Sequence, residues 1–388
     1  MTNILDKIQN LFTKPGGIAT GMYHYLSPPE DPRNYRLHLR VEPNGNGLLV
    51  INASTMLHLN QTATEYAYYL VKNVNAEQVG KIISDRYDVS RTEAARDYQE
   101  LIDQINILIE TPDLDPVSYL DIERIPPFSG HIAAPYRLDC ALTYALPGGI
   151  DPEYAPTDRA ISELETEGWL KIINKAAEIG IPHLIFTGGE PTLREDLFEL
   201  LDRAEENDLV TGLLSTGKKL ADKQYLDDLL QTGLDHLMLL LSPGDERSWT
   251  ALENALREDL YVAVHLTVTN ENQEGINNVI DRLEEIGATA ISLSTNTEEL
   301  EKRLARIRDY VAAKDLELVW NLPVPYSSMN PVGIETTQTE VKTGAGRAWL
   351  YIEPDGDVLP AQGINEVLGN ILRDDWQQTW EKALQRPR

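Results

Sequence analysis

A chain of 388 residues with 42% hydrophobic residues has material for two or three cored domains. Its 62 acidic residues against 34 basic ones, a net charge of −28, argue against binding a phosphate backbone, so no nucleic-acid partner is expected. A single cysteine excludes an intramolecular disulfide, no apolar run approaches the roughly 18 residues of a membrane span, and no signal peptide is visible, so a cytoplasmic location is expected.

Residues 2–13 place Ile4, Leu5, Ile8, Leu11 and Phe12 at helical spacing, and Pro15-Gly16-Gly17 ends the pattern. This short amphipathic helix (region 1–20) lacks a basic polar face and is expected to pack on protein. From Tyr35 apolar and polar residues alternate, which predicts a half-buried strand. Asn44-Gly45-Asn46-Gly47 predicts a turn, Leu48–Ile51 a return strand, and Met56–Leu59 a third strand. Three helices follow, with a capping box expected at Thr62/Glu65, a start at Asn75, and a second box at Ser90/Glu93. Three strands and three helices predict a winged-helix-like α+β module over 21–110.

The stretch from Leu48 to Ile105, including LLVINASTMLHLNQTATEYAYYLV and VNAEQVGKIISDRYDVSRTEAARDYQELIDQI, resembles the PqqD-like peptide-recognition domain. That resemblance implies that a leader or precursor peptide adds to the edge of the third strand, at Met56, Leu57, His58 and Leu59. An unpaired strand edge offers N–H and C=O groups to an extended guest. The blander reading is a module for packing or dimerisation, with a homo-oligomer as the outcome.

Residues 111–136 carry Pro112, Pro116, Pro126, Pro127 and Pro135 and read as a linker. Strand patterns then recur at Arg137–Tyr144, His183–Thr187, Val210–Ser215, His236–Leu241, Val262–Thr269, Thr289–Ser294 and Glu317–Asn321. Amphipathic helices are expected between them at about 158–179, 193–207, 221–232, 245–257, 273–286 and 297–313. Such alternation predicts α/β with a parallel sheet, whose binding site gathers after the strands' C-terminal ends.

Two motifs in this part carry a resemblance. LDCALTYALPGGIDPEY followed by Thr187-Gly188-Gly189-Glu190-Pro191 resembles the opening loop and GGEP turn of radical S-adenosylmethionine enzymes. TGAGRAWLYIEPDGDVLPAQGINEVLGNIL, over Thr343–Leu372, is similar to the SPASM extension of the same family. These resemblances imply a partial (β/α)6 barrel over 137–325 and a degenerate SPASM-like region over 326–388. They also imply iron–sulfur ligands at Leu146, Ile150, Glu153, Thr343 and Ala361, positions where none of the residues is a cysteine.

Thiolates are the chief ligands of such clusters, so no iron–sulfur cluster, no metal and no cofactor are expected. Cys140 reads as a buried, inert thiol ahead of the loop. Leu146 and Ile150 are expected to fill the vacated volume with apolar atoms. The GGEP turn reads first as a strand cap. In the alternative it keeps a residual S-adenosylmethionine site at Thr187, Gly188, Gly189, Glu190 and Ser215. His183, His236 and His265 show no metal-ligand spacing and read as structural, Glu195-Asp196 as the opening of a helix, and Glu163–Glu167 as a solvated face. No catalytic residue is expected.

The function expected is a cluster-free pseudoenzyme that binds a leader or precursor peptide, or a partner modification enzyme, in ribosomal peptide modification. The alternative is a non-radical enzyme or sensor that binds S-adenosylmethionine or another small molecule at Glu190. A third reading is a structural subunit of a larger assembly.

Overall fold

The computed structural model describes residues 18–28, 30–33, 35–52, 55–111, 119, 132–160, 162–314, 316–336 and 344–386. The helix expected over 2–13, most of the proline-rich segment and Thr343 lie outside these residues. Contacts divide the chain into two compact units, one reaching Ala134 and including Ala177–Gly180, the other holding the remainder from Pro135 to Arg388.

The first unit has a four-stranded antiparallel sheet in the order β1 (Gly21–Leu26), β2 (Arg36–Val41), β3 (Gly47–Ile51), β4 (Thr55–Leu59). Strand β1 pairs with β2 over its whole length and was not expected. GMYHYL lacks polar–apolar alternation, so its strand character comes from its partner rather than from its own pattern. Three helices follow: α1 (Gln61–Val71), α2 (Ala76–Arg86) and α3 (Arg91–Glu110). Asn75 and Ser90 cap α2 and α3 by accepting from Gln78 N and Glu93 N. The expected Thr62/Glu65 box is absent: Asn60 caps α1 through Ala63 N at 2.9 Å. Glu65 is instead 2% exposed, paired with Arg86 and accepting from the Tyr87 hydroxyl at 2.6 Å. Leu37, Leu39, Leu49, Leu57 and Ala63 form the core with Ile105 and Leu108 of α3.

The second unit is a ten-stranded sheet in the order β11-β10-β9-β8-β7-β6-β5-β12-β13-β14. Its strands are β5 (Arg137–Thr143), β6 (His183–Gly188), β7 (Val210–Ser215), β8 (His236–Leu240), β9 (Tyr261–Val268), β10 (Ala290–Thr295), β11 (Glu317–Leu318), β12 (Trp349–Ile352), β13 (Asp357–Leu359) and β14 (Gly369–Asn370). From β11 across to β12 every pairing is parallel. Between the strands run α4 (Thr166–Ile179), α5 (Leu197–Glu206), α6 (Lys223–Leu230), α7 (Glu246–Ala255), α8 (Ile276–Glu285) and α9 (Glu301–Ala312), and α10 (Trp376–Leu384) closes the unit. Each buries one stripe, as α4 does with Trp169, Ile172, Ile173 and Ala176. The residues of β7 are all buried, as expected of a strand covered on both faces.

Residues after 344 extend this sheet, because β12 pairs with β5 from Trp349/Arg137 to Ile352/Cys140. The Pro354–Val358 frame is a hairpin stitched by Asn370, whose amide donates to Asp357 Oδ1 at 2.8 Å and to Asp355 O at 3.1 Å. No helix among the described residues is long and apolar enough to cross a membrane.

Candidate functional site

The C-terminal edge of the parallel strands brings the expected site residues together at the end of β6. Gly188 has φ +119°, and a Cβ there would run into the carbonyl oxygen of Thr143; one on Gly189 would run into that of Ala145. Both positions therefore require glycine because the loop after β5 passes against them. The same contact is hydrogen-bonded: Gly189 N donates to Thr143 O at 2.7 Å and Glu190 N to Ala145 O at 2.9 Å.

Glu190 is 2% exposed, and its carboxylate receives five hydrogen bonds. Oε1 accepts from Thr192 N at 3.2 Å, Thr192 Oγ1 at 2.6 Å and Ser215 Oγ at 2.8 Å. Oε2 accepts from Thr216 N at 2.9 Å and from the Thr216 hydroxyl. A carboxylate has about four lone-pair sites, so Glu190 is saturated within the chain. Burial, and then the charge of Glu190, push the Tyr225 hydroxyl up to about 12. Thr187 Oγ1 donates to Pro323 O at 3.0 Å, and Gly188 O accepts from Tyr326 N at 2.7 Å. Leu322 and Val324, in the same segment as Pro323 and Tyr326, pack on an apolar belt of Ile185, Leu214, Met238, Ala263 and Ala290.

The loop after β5 departs from expectation. Ile150 is 51% exposed and Leu146 half-buried in a tight turn closed by Leu146–Gly149 hydrogen bonds, so neither fills an internal volume. Glu153 is exposed, and Ala361 is buried after β13. These four side chains offer no thiolate and do not fit a cluster held by cysteine. Among the described residues no group of three or more His, Cys, Asp or Glu is placed to hold a metal ion. Cys140 is fully buried, and burial, followed by the Asp139 charge, pushes its thiol well above the ordinary range.

Beside that loop lies a cluster that the sequence did not reveal. Arg159 pairs with Glu353 at 2.6 Å and Glu335 at 3.0 Å; Tyr144 donates to Glu353 at 3.0 Å; Tyr326 donates to Glu335 and stacks edge-on with Tyr144 at 5.4 Å. Burial raises the Glu353 carboxyl above its usual value, outweighing the pull of Arg159 and its hydrogen bonds. The partners are 9 to 209 residues apart, beyond any local pattern. The acidic pair at 195–196 does open a helix, with Asp196 at the N-cap position, but its side chain makes no capping hydrogen bond. It accepts from Arg194 and Thr166, and these bonds lower its carboxyl against the effect of burial. Glu163, expected on a solvated face, accepts from Thr143 Oγ1 at 2.7 Å and Tyr144 N at 3.0 Å. Burial, then His236 and Arg137, push the His183 imidazole down to about 3, which keeps it neutral.

In the first unit the expected peptide-binding residues lie on β4, which has β3 on one side and no strand on the other among the described residues. Thr55, Leu57 and Leu59 point into the core, while Met56 (39% exposed) and His58 face outward.

No protein-family model matches the chain. It is 28% identical over 243 residues to a PqqA peptide cyclase of Granulibacter bethesdensis, a match spanning 55% of this chain and 63% of that protein. Its structure is similar to Streptococcus suis SuiB bound to S-adenosylmethionine, with TM-score 0.55 and 15% identity over 92% of this chain and 88% of that one. SuiB bound to its precursor peptide SuiA gives TM-score 0.54 at 15% identity over the same shares of the two chains. These neighbours overturn the expectation of a cofactor-free fold, since SuiB has the same fold and is bound to S-adenosylmethionine. That expectation rested on the cysteine count and the loop's side chains, which bear on thiolate ligands alone. The chain has an α/β fold with a parallel-strand sheet and helices, similar to that of SuiB.

Proposed function

We propose that this chain binds a leader or precursor peptide in a ribosomal peptide modification system. The first unit acts as a PqqD-like, winged-helix-like recognition module and receives the peptide as an added strand along β4. The second unit serves as a partial-barrel scaffold with a SPASM-like C-terminal part. The observation that carries this reading is the side of β4 that has no strand beside it among the described residues, with buried and exposed residues alternating along the strand. Main-chain bonding to such an edge supplies affinity, and the side chains at Met56 and His58 supply selectivity. Similarity to a PqqA peptide cyclase and to SuiB, which binds SuiA, supports a peptide as the guest.

The test is titration of the 15N-labelled protein with the precursor peptides SuiA and PqqA. Saturable shifts concentrated at residues 55–59 with either peptide support the proposal. Shifts elsewhere, or none with both peptides, reject it.

A second reading is favoured by the neighbour bound to S-adenosylmethionine: the second unit takes that molecule or a relative of it. Because Glu190 is saturated, recognition would then fall to other groups at the sheet's C-terminal edge. Calorimetric titration with S-adenosylmethionine tests it, and no heat at millimolar ligand would end it.

A further inference from the structure

The face of the large sheet that carries Ala263 and Ala290 also bears a second polar group of residues, distinct from the GGEP turn. In register, His265 of β9 stands beside Ser292 of β10, and Thr267 beside Ser294. His265 Nδ1 lies 3.1 Å from Ser292 Oγ, and Nε2 lies 3.0 Å from Ser294 Oγ. His265 is 2% exposed and Ser292 7%, whereas Ser294, one residue from the end of β10, is half-buried. A hydroxyl thus sits at the rim, an imidazole beneath it, and a second hydroxyl deeper still. That order matches the requirement for an activated nucleophile: a base within hydrogen-bond reach, itself oriented by a third group. The C-terminal edge is also where parallel α/β sheets present their chemistry.

We propose that Ser294, His265 and Ser292 form a nucleophile, base and orienting set that reacts with neutral acyl esters or thioesters. The proposal is independent of peptide binding at β4. With its proton on Nδ1, His265 donates to Ser292 and leaves the Nε2 lone pair to accept from Ser294. Ser294 Oγ forms a bond to the carbonyl carbon while its proton passes to Nε2. The bond to the alcohol or thiol breaks, and the leaving group departs with that proton. Water, deprotonated by the same imidazole, then releases the acid and restores Ser294. The hydrogen-bonding groups of the set are uncharged hydroxyls and an imidazole, so a charged acyl group finds no counter-ion among them. Thr267 Oγ1 lies 3.3 Å from Nε2 and 3.4 Å from Ser294 Oγ, a longer competing contact from a more buried residue.

A purely packing role for these hydroxyls makes a different prediction, and a covalent probe separates the two. The full-length protein is treated with a fluorophosphonate and its peptides are mapped by mass spectrometry, with hydrolysis of p-nitrophenyl acetate as a second readout. The expected result is stoichiometric label on Ser294, absent in Ser294→Ala. Labelling should slow by about 100-fold or more in His265→Gln, within the usual range for loss of a general base, and less in Ser292→Ala. Thermal melts show which variants are folded, and Ser294→Ala removes only one rim hydroxyl. No label in the wild-type protein, label elsewhere, or an undiminished rate in folded His265→Gln would overturn the assignment.

Discussion

Strand β4 and the turn after β6 both carry groups able to hold a ligand, yet they dispose of those groups in opposite ways. In β4 one side of the ladder is bonded to β3 and the other has no strand beside it among the described residues. In the turn, Thr187, Gly188 and Glu190 are engaged by Pro323, Tyr326, Thr192, Ser215 and Thr216 of the same chain. A motif retained in sequence can therefore be retained for packing, since every residue of Gly188-Gly189-Glu190 has an internal partner or an internal steric reason. An edge is different, because its capacity to bind is defined by what it lacks.

Glu190→Ala gives the largest effect that follows from this contrast. It leaves the hydroxyls of Thr192, Ser215 and Thr216 and the amides of Thr192 and Thr216 without this acceptor in a site that is 2% exposed. Stranding buried donors of a charged acceptor costs roughly 3 kcal/mol or more. Urea denaturation should show a lower midpoint at unchanged slope. A near-wild-type midpoint would mean that water replaces the carboxylate and that the turn is open to ligands.

Salt gives the next effect and tests whether the first is local. With a net charge of −28 the folded chain repels itself, and ions screen exposed charges beyond about 8–10 Å. The wild-type midpoint should rise as salt is added, whereas its gap to Glu190→Ala should stay constant, because short buried hydrogen bonds are not screened. A gap that closes with salt would place the Glu190 effect in the global charge field instead.

The strand-and-helix alternation from Arg137 onward was legible in the sequence because apolar runs and amphipathic helices recur at a regular spacing. The strand at Met56–Leu59 was legible from its pattern, whereas its place at an edge came from the resemblance to the PqqD-like domain; among the described residues it has a strand on one side only. What stayed hidden is long-range. Arg159, Glu335 and Glu353 give no local signal, and β1 takes its strand character from β2. The pairing of His265 with Ser292 and Ser294 left a trace: polar residues at alternate positions in two otherwise apolar strands. That trace shows a shared face, but only the register of β9 against β10 shows that the two faces meet. The exposure of Ile150 was missed for a related reason, since the Leu146–Gly149 turn folds back on itself and directs the side chain outward.

A smaller effect probes the cluster beside the loop after β5. Burial raises the Glu353 carboxyl above its reference value of 4.5, despite Arg159. An acid with a raised folded pKa holds its proton more tightly in the folded state. Its protonation therefore favours folding, and that stabilisation is lost as pH rises from the unfolded value through the folded one. Asp355 is raised in the same direction, chiefly by burial, and contributes with the same sign. Glu353→Gln should flatten the fall in stability as pH rises above the ordinary carboxyl range while keeping an acceptor for Tyr144. An unchanged pH slope in the variant would assign the dependence to other carboxyls.

The smallest expected effect on folding falls on the edge, and there the contrast with the turn is sharpest. Met56 is 39% exposed on a strand that, among the described residues, pairs on one side, so Met56→Lys removes little buried surface and should change the stability read from urea denaturation by less than about 0.5 kcal/mol. Lysine on an edge strand hinders a further strand from docking, because its charge would have to be desolvated against the guest. Affinity for the precursor peptide that titrates these residues should therefore fall about tenfold or more, the equivalent of about 1.4 kcal/mol, while stability is held. Glu190→Ala should do the reverse, losing stability while the folded fraction keeps its peptide affinity. If Met56→Lys binds as tightly as wild type, the guest does not lie along β4. If instead affinity and stability fall together, Met56 belongs to the core of the unit, and its exposure does not mark a docking position.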